Sequence, residues 1–84
     1  MSIPKIGIMN TQAKKGTQLH WHVQLVNEWL MVYEGEINVL FRDKIVNVKE
    51  ADYIFIPANI EHTTYAVTDC KVIAITMPKD EGFL

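Results

Sequence analysis

The sequence predicts an all-β fold. Apolar residues recur with a period of two rather than 3.6, the runs are short, and turn-forming residues separate them at near-regular intervals. No helical period of useful length is present. Lys5–Thr11 reads as a first strand. Thr17–Val23 alternates, with His20 and His22 on one face and Leu19 and Trp21 on the other. Glu28–Tyr33 follows, with Glu28, Leu30 and Val32 sharing a face, and Glu34-Gly35 reads as a hairpin turn in which glycine supplies a positive φ. Glu36–Phe41 alternates cleanly, Arg42-Asp43-Lys44 is a polar turn, and Ile45–Val48 is a short strand. Tyr53–Ile56 is almost continuously apolar, which predicts a strand covered on both faces. Pro57-Ala58-Asn59 ends it, because proline cannot donate to a central ladder. His62–Ala66 and Lys71–Met77 complete the set. Such a series indicates a sandwich or barrel.

The chain has 84 residues, of which 49% are hydrophobic and 21% charged. That suits one domain over residues 1–84, with a tail at 78–84. A domain of this size buries only about 60–65% of its unfolded surface, so a partner subunit is an effective way to bury more. The net charge of −2 and the scattered basic residues argue against nucleic acid, which needs a Lys/Arg stripe to displace phosphate counterions. The longest apolar run, Trp29 to Tyr33, falls far short of the ~20 residues that span a bilayer, so no membrane segment is expected. No apolar secretory segment follows Met1, and the single cysteine, Cys70, has no internal disulfide partner. A reducing cytoplasm and a simple packing or surface thiol are the expectations.

All three histidines enter one pattern. His20 and His22 stand two apart on an expected strand, so their imidazoles project together. Glu28 opens the next strand, and His62 opens a later one after the Pro57 turn. Three nitrogens and one carboxylate suit a divalent first-row transition metal such as Mn, Fe, Ni, Zn or Cu, with coordination positions left open. His-x-His alone is weak support, since it also occurs on ordinary surfaces. Gln24 keeps the parity of the histidine pair and is the alternative oxygen ligand.

The framework around these residues resembles a small single-domain cupin. The first cupin motif corresponds to Gly16, His20-Trp-His22, Glu28 and, after six residues, Gly35. The second corresponds to Ala51, Pro57, Asn59 and His62. The resemblance implies a double-stranded β-helix, or jelly-roll barrel, commonly a homodimer, with metal at His20, His22, Glu28 and His62. Three departures stand out: five residues separate His22 from Glu28, Ala51 and Asn59 replace motif glycines, and Ala66 stands where asparagine is frequent. The longer spacing requires a bulge or a shifted Glu28. Asn59 tolerates a left-handed φ, and Ala51 is expected to take an ordinary one with Asp52 supporting the turn.

The inward set expected for such a barrel is the ligands with Leu30, Val32, Ile54 or Phe55, Thr64 and Ala66, around a pocket for a small organic molecule. Tyr65 and Glu61 are expected outside it. Trp21, Trp29 and Tyr33 are expected to share an outer apolar face, either a dimer seam or packing for a second sheet. The ending Met77-Pro78 to Phe83-Leu84 resembles the tail of cupins that open unsaturated uronate rings, but Ala74 and Thr76 stand at the positions of their Asp-x-Phe pair. Two function classes follow. One is a metal-dependent enzyme (isomerase, ring-opening enzyme, lyase or dioxygenase) acting on a small sugar- or acid-like metabolite. The other is a non-catalytic metal- or ligand-binding barrel.

Overall fold

The computed structural model describes residues 3–79. Seven strands form: β1 (Gly7–Ala13), β2 (Asn27–Glu34), β3 (Glu36–Phe41), β4 (Ile45–Lys49), β5 (Tyr53–Ile56), β6 (His62–Ala66) and β7 (Cys70–Met77). They make two antiparallel sheets, one ordered β1-β7-β2-β5 and the other β4-β3-β6. β3, β5 and β6 coincide with the segments expected from the sequence. The expected tail runs from residue 78 to 84, and its residues 80–84 lie outside the described residues.

Alternation sorts each strand into an inner and an outer face. From the larger sheet, Leu30, Val32, Val72 and Ala74 face inward; from the smaller, Ile37, Val39, Val48 and Ala66 do so. Ile37, Val39 and Val32 are almost wholly buried, each side chain stabilising the fold by roughly 1.5–3 kcal/mol through removal from water. Cys70 is buried in the same cluster, and burial pushes its thiol above the ordinary value, against a hydrogen bond from the Ala13 backbone. The thiol therefore packs rather than reacts.

Three expectations are corrected. β5 is an edge strand, not one covered on both faces: Ile56 is buried and Ile54 packs on the core, but Tyr53 and Phe55 are 67% and 42% exposed. Its continuous apolar run arises because the outer face of this sheet is itself apolar. Trp21 does not join Trp29 on that face. Its ring lies 3.8 Å under the Arg42 guanidinium, which donates to Glu61 at 2.7 and 3.1 Å, while Trp29 packs on Phe55. Thr17–Val23 is not a regular strand and makes only isolated bridges.

Two tight turns show what the chain demands of its backbone. Gly35 joins β2 to β3 with φ +87°, and a Cβ there would press on the Asp69 carbonyl and come within 2.9 Å of Cys70 Cα. Ala51 also adopts a left-handed φ, +72°, where an ordinary value was expected. Its amide donates to the Val32 carbonyl at 2.8 Å and that of Asp52 to the Lys49 carbonyl at 2.9 Å, so the turn is tied on both sides. Asn59 takes φ +66°, as its short polar side chain permits. Ala51→Gly should therefore stabilise the protein by about 0.5–1 kcal/mol in urea unfolding, the left-handed penalty outweighing the entropy of glycine in the unfolded chain. Gly35→Ala should destabilise it by at least about 1 kcal/mol. An unchanged midpoint for Ala51→Gly would show that the turn carries no such strain.

Candidate metal centre

The segment Gly16–His22 runs beside β6. Gly16 donates to the Ala66 carbonyl, Ala66 to Thr17, and Leu19 to Thr64, at 2.8–3.0 Å. His22 and His62 then exchange two backbone hydrogen bonds, both 3.0 Å. Leu19 thus pairs with Thr64 and His22 with His62: three steps on one side match two on the other. One extra residue is inserted between Leu19 and His22, which is a β-bulge. The bulge explains why the segment does not form a regular strand.

The pairing brings the His22 and His62 imidazoles together, with centroids 4.4 Å apart and planes tilted by 59°. Nδ1–H of His22 donates to the His20 carbonyl and Nδ1–H of His62 to the Ile60 carbonyl, each at 2.9 Å. A carbonyl only accepts, so both protons sit on Nδ1 in the neutral rings and both Nε2 lone pairs are free. This is the orientation that a ligating histidine needs. Glu28 lies in regular register on β2, opposite Thr76 and Ile56, so the longer spacing after His22 is taken up before the strand begins. Gly7 faces Thr76 and, lacking a Cβ, leaves space for the Thr76 hydroxyl. Glu28 Oε1 is 3.7 Å from His62 Nε2, and both side chains are buried.

Burial works to lower the pKa of His62, but the Glu28 carboxylate and the Ile60 carbonyl outweigh it and hold the imidazole above its ordinary value. Gln24 is buried too, and its Oε1 has no hydrogen-bond partner among the described residues. The centre is thus rich in acceptors: two imidazole nitrogens, a carboxylate and an orphaned amide oxygen. Such a set fits a cation. As they stand, no three His, Cys, Asp or Glu side chains among the described residues converge on one point. His20, which is exposed, half-buried His22 and buried Glu28 and His62 all line one cavity.

That cavity has a volume of about 610 Å³ and lies between the two sheets. Leu30, Thr64 and Ala66 line it as expected, and Ile54 rather than Phe55 faces inward. The sequence reading missed the wall supplied by β1, where Met9, Thr11 and Ala13 line the cavity. Their shared parity within Gly7–Ala13 was the available signal.

The profile of the family described as cupin domain matches residues 7–76. The chain belongs to the cupin family. Solved structures agree with this cupin's fold. An RmlC-like cupin from Shewanella frigidimarina superposes with a TM-score of 0.85 at 22% identity, covering 95% of this chain and 72% of the other. A double-stranded β-helix cupin from Methanocaldococcus jannaschii gives 0.83 at 17% identity over 93% and 74%. Salicylate 1,2-dioxygenase from Pseudoaminobacter salicylatoxidans gives 0.81 at 15% identity, covering 88% of this chain and 21% of that one. No curated protein matches the sequence. Cupins often bind a divalent metal, and among the described residues no helix is long and apolar enough to cross a membrane.

The raised His62 value has a definite sign. Pairing with Glu28 stabilises the imidazolium, so in metal-free protein this contribution is complete below about pH 6.5 and is lost as pH rises through the folded-state value. With chelator present, Glu28→Gln should move the His62 titration, followed by proton NMR, to lower pH and flatten the matching slope in stability. A variant titrating as high as the wild type would remove Glu28 as the cause.

Proposed function

We propose that this cupin binds a divalent transition metal through His20, His22, Glu28 and His62, and acts there on a small sugar- or acid-like metabolite. The observation that carries the reading is the pair of imidazoles with Nδ1 fixed and Nε2 free beside a buried carboxylate, at the polar end of a cavity. Gln24 Oε1 is the alternative oxygen donor to Glu28. His20 would have to turn in from the rim to join. The metal would be Mn, Fe, Ni, Zn or Cu, all of which accept such donors. When bound, it would polarise a carbonyl or hydroxyl oxygen and lower the pKa of bound water, chemistry suited to isomerisation, ring opening, lyase steps or, with iron, dioxygenation. The chain's own residues orient the ligands and keep bulk water from one side.

A second reading, a non-catalytic ligand-binding barrel, is favoured by one observation. Apart from the four proposed ligands, the described residues lining the cavity include no carboxylate, imidazole, phenol, amine or thiol to serve as an acid or base. An enzyme would consume a uronate or keto acid and stop with chelator; a binding barrel would shift its melting with ligand and yield no product.

We also propose a single domain over residues 1–84 that works as a homodimer in the cytoplasm, where buried Cys70 stays reduced. The outer face of the larger sheet supports the dimer. Ile8, Ile75, Trp29 and Phe55 lie side by side across all four strands, and Ile73, Met31 and Tyr53 form the next row. No charged side chain enters these rows. Ile8, Tyr53 and Phe55 are 60%, 67% and 42% exposed there, an apolar surface left open to a partner.

Elemental analysis of untagged protein purified without chelator should find near-stoichiometric metal, lost in a His20→Ala/His22→Ala variant. His62→Ala should lower metal content and, at saturating metal, stability by ~3–4 kcal/mol. Melting of His62→Ala that matches the wild type, with and without chelator, would overturn its ligand role. Sedimentation equilibrium should give a dimer for the wild type and a folded monomer for Tyr53→Lys/Phe55→Lys; a wild-type monomer at high micromolar concentration would rule the dimer out.

A further inference from the structure

We infer that the cavity selects a ligand with one oxygen-donor head and an apolar body, of the size of a branched or cyclic keto acid, and rejects polyhydroxylated and multiply charged molecules. This rests on the metal reading above and narrows it to the acid-like, non-sugar half of its substrate class.

Glu28, His22 and His62 lie together and form the polar end of the cavity. Gln24, whose Oε1 has no partner among the described residues, also lines it. Deeper along the sheet the next row is Met9, Ala74 and Leu30, side by side on three neighbouring strands. Ala74 is small between two long side chains, so the space of the cavity opens over it. Ala66 leaves matching room on the facing sheet, opposite Ile37 in register. Among the described lining residues there is no lysine or arginine. A phosphate or a second carboxylate would therefore enter with no countercharge beyond the head group's own partner.

A sugar fares no better. Apart from the polar end, the neutral hydrogen-bonding side chains of the wall are Thr11, Thr17 and Thr64, and the first two are exposed. The several hydroxyls of a uronate would lose water here without gaining partners.

The rim gives an independent observation. Leu19, Val23 and Leu25 line the cavity yet are 52%, 50% and 79% exposed. All three belong to the segment between β1 and β2. An apolar body seated in the cavity would cover them.

The test uses the full chain loaded with Co²⁺ and two probes with the same head, 4-methyl-2-oxopentanoate and 2-keto-3-deoxygluconate. The branched acid should bind at least tenfold tighter by titration of the cobalt spectrum. Ala74→Phe should weaken it at least tenfold with cobalt stoichiometry unchanged. Leu25→Ser, at an exposed position that the fold does not need, should weaken it severalfold and covers the case in which Ala74→Phe fails to fold. A parallel titration of metal-free protein with neutral cyclohexanone, read by methyl NMR of Leu30 and Val72, separates the two readings. No cobalt uptake with cyclohexanone bound would overturn the metal reading and leave the apolar selectivity standing. Cobalt uptake with equal or tighter binding of the hydroxylated acid, or with both variants indistinguishable from wild type, would overturn this inference and leave the metal reading intact.

Discussion

The two backbone hydrogen bonds exchanged by His22 and His62 are the constraint on which the site depends. They tie a segment that leads into the larger sheet to a strand of the smaller one, so they close the barrel and position the imidazoles in one act. Rings held by their own peptide groups need no side-chain scaffold to find each other. The Nδ1 bonds to carbonyls two residues back use the same local chain, at His20 for one ring and Ile60 for the other. Backbone geometry thus determines which nitrogen each ring presents to the cavity.

Around that pair the protein keeps polar groups where a core would ordinarily exclude them. Glu28, Gln24 and His62 are all buried, and Gln24 Oε1 has no hydrogen-bond partner among the described residues, within a structure small enough that an unsatisfied group costs a noticeable share of its stability. The Glu28–His62 contact offsets part of this burial, and it does so best when the imidazole is charged. A proton and a metal ion would be competing answers to the same surplus of acceptors.

Much of this was legible in advance. Glu36–Phe41, with its clean alternation, was read at its observed limits because one apolar face specifies register. The four candidate ligands were named from spacing and from the cupin resemblance, and all four line one cavity. What escaped was whatever breaks local periodicity. The bulge between Leu19 and His22 depends on pairing with β6, which no local pattern encodes. The exposure of Tyr53 and Phe55 was hidden because apolar residues occupy both faces of β5. Ala51 was assigned an ordinary φ because its side chain favours one; the hydrogen bonds that hold it left-handed come from Val32, distant in sequence. Trp21 was placed by parity, whereas Arg42 and Glu61 decide its surroundings.

The two sheets differ on their outer faces, and the difference limits assembly. The larger sheet shows rows of Ile, Met, Trp, Tyr and Phe. The smaller shows a polar mesh in which the Asn47 amide donates to Glu36 at 2.8 Å and to Asn38 at 2.9 Å. In the dimer proposed above, a subunit with one apolar side and one wetted side would meet a copy turned to face it. Such a contact would be consumed when it formed, because that face of each molecule would have nothing equivalent left to offer a third. Growth into fibres or open arrays through that face would thereby be closed off.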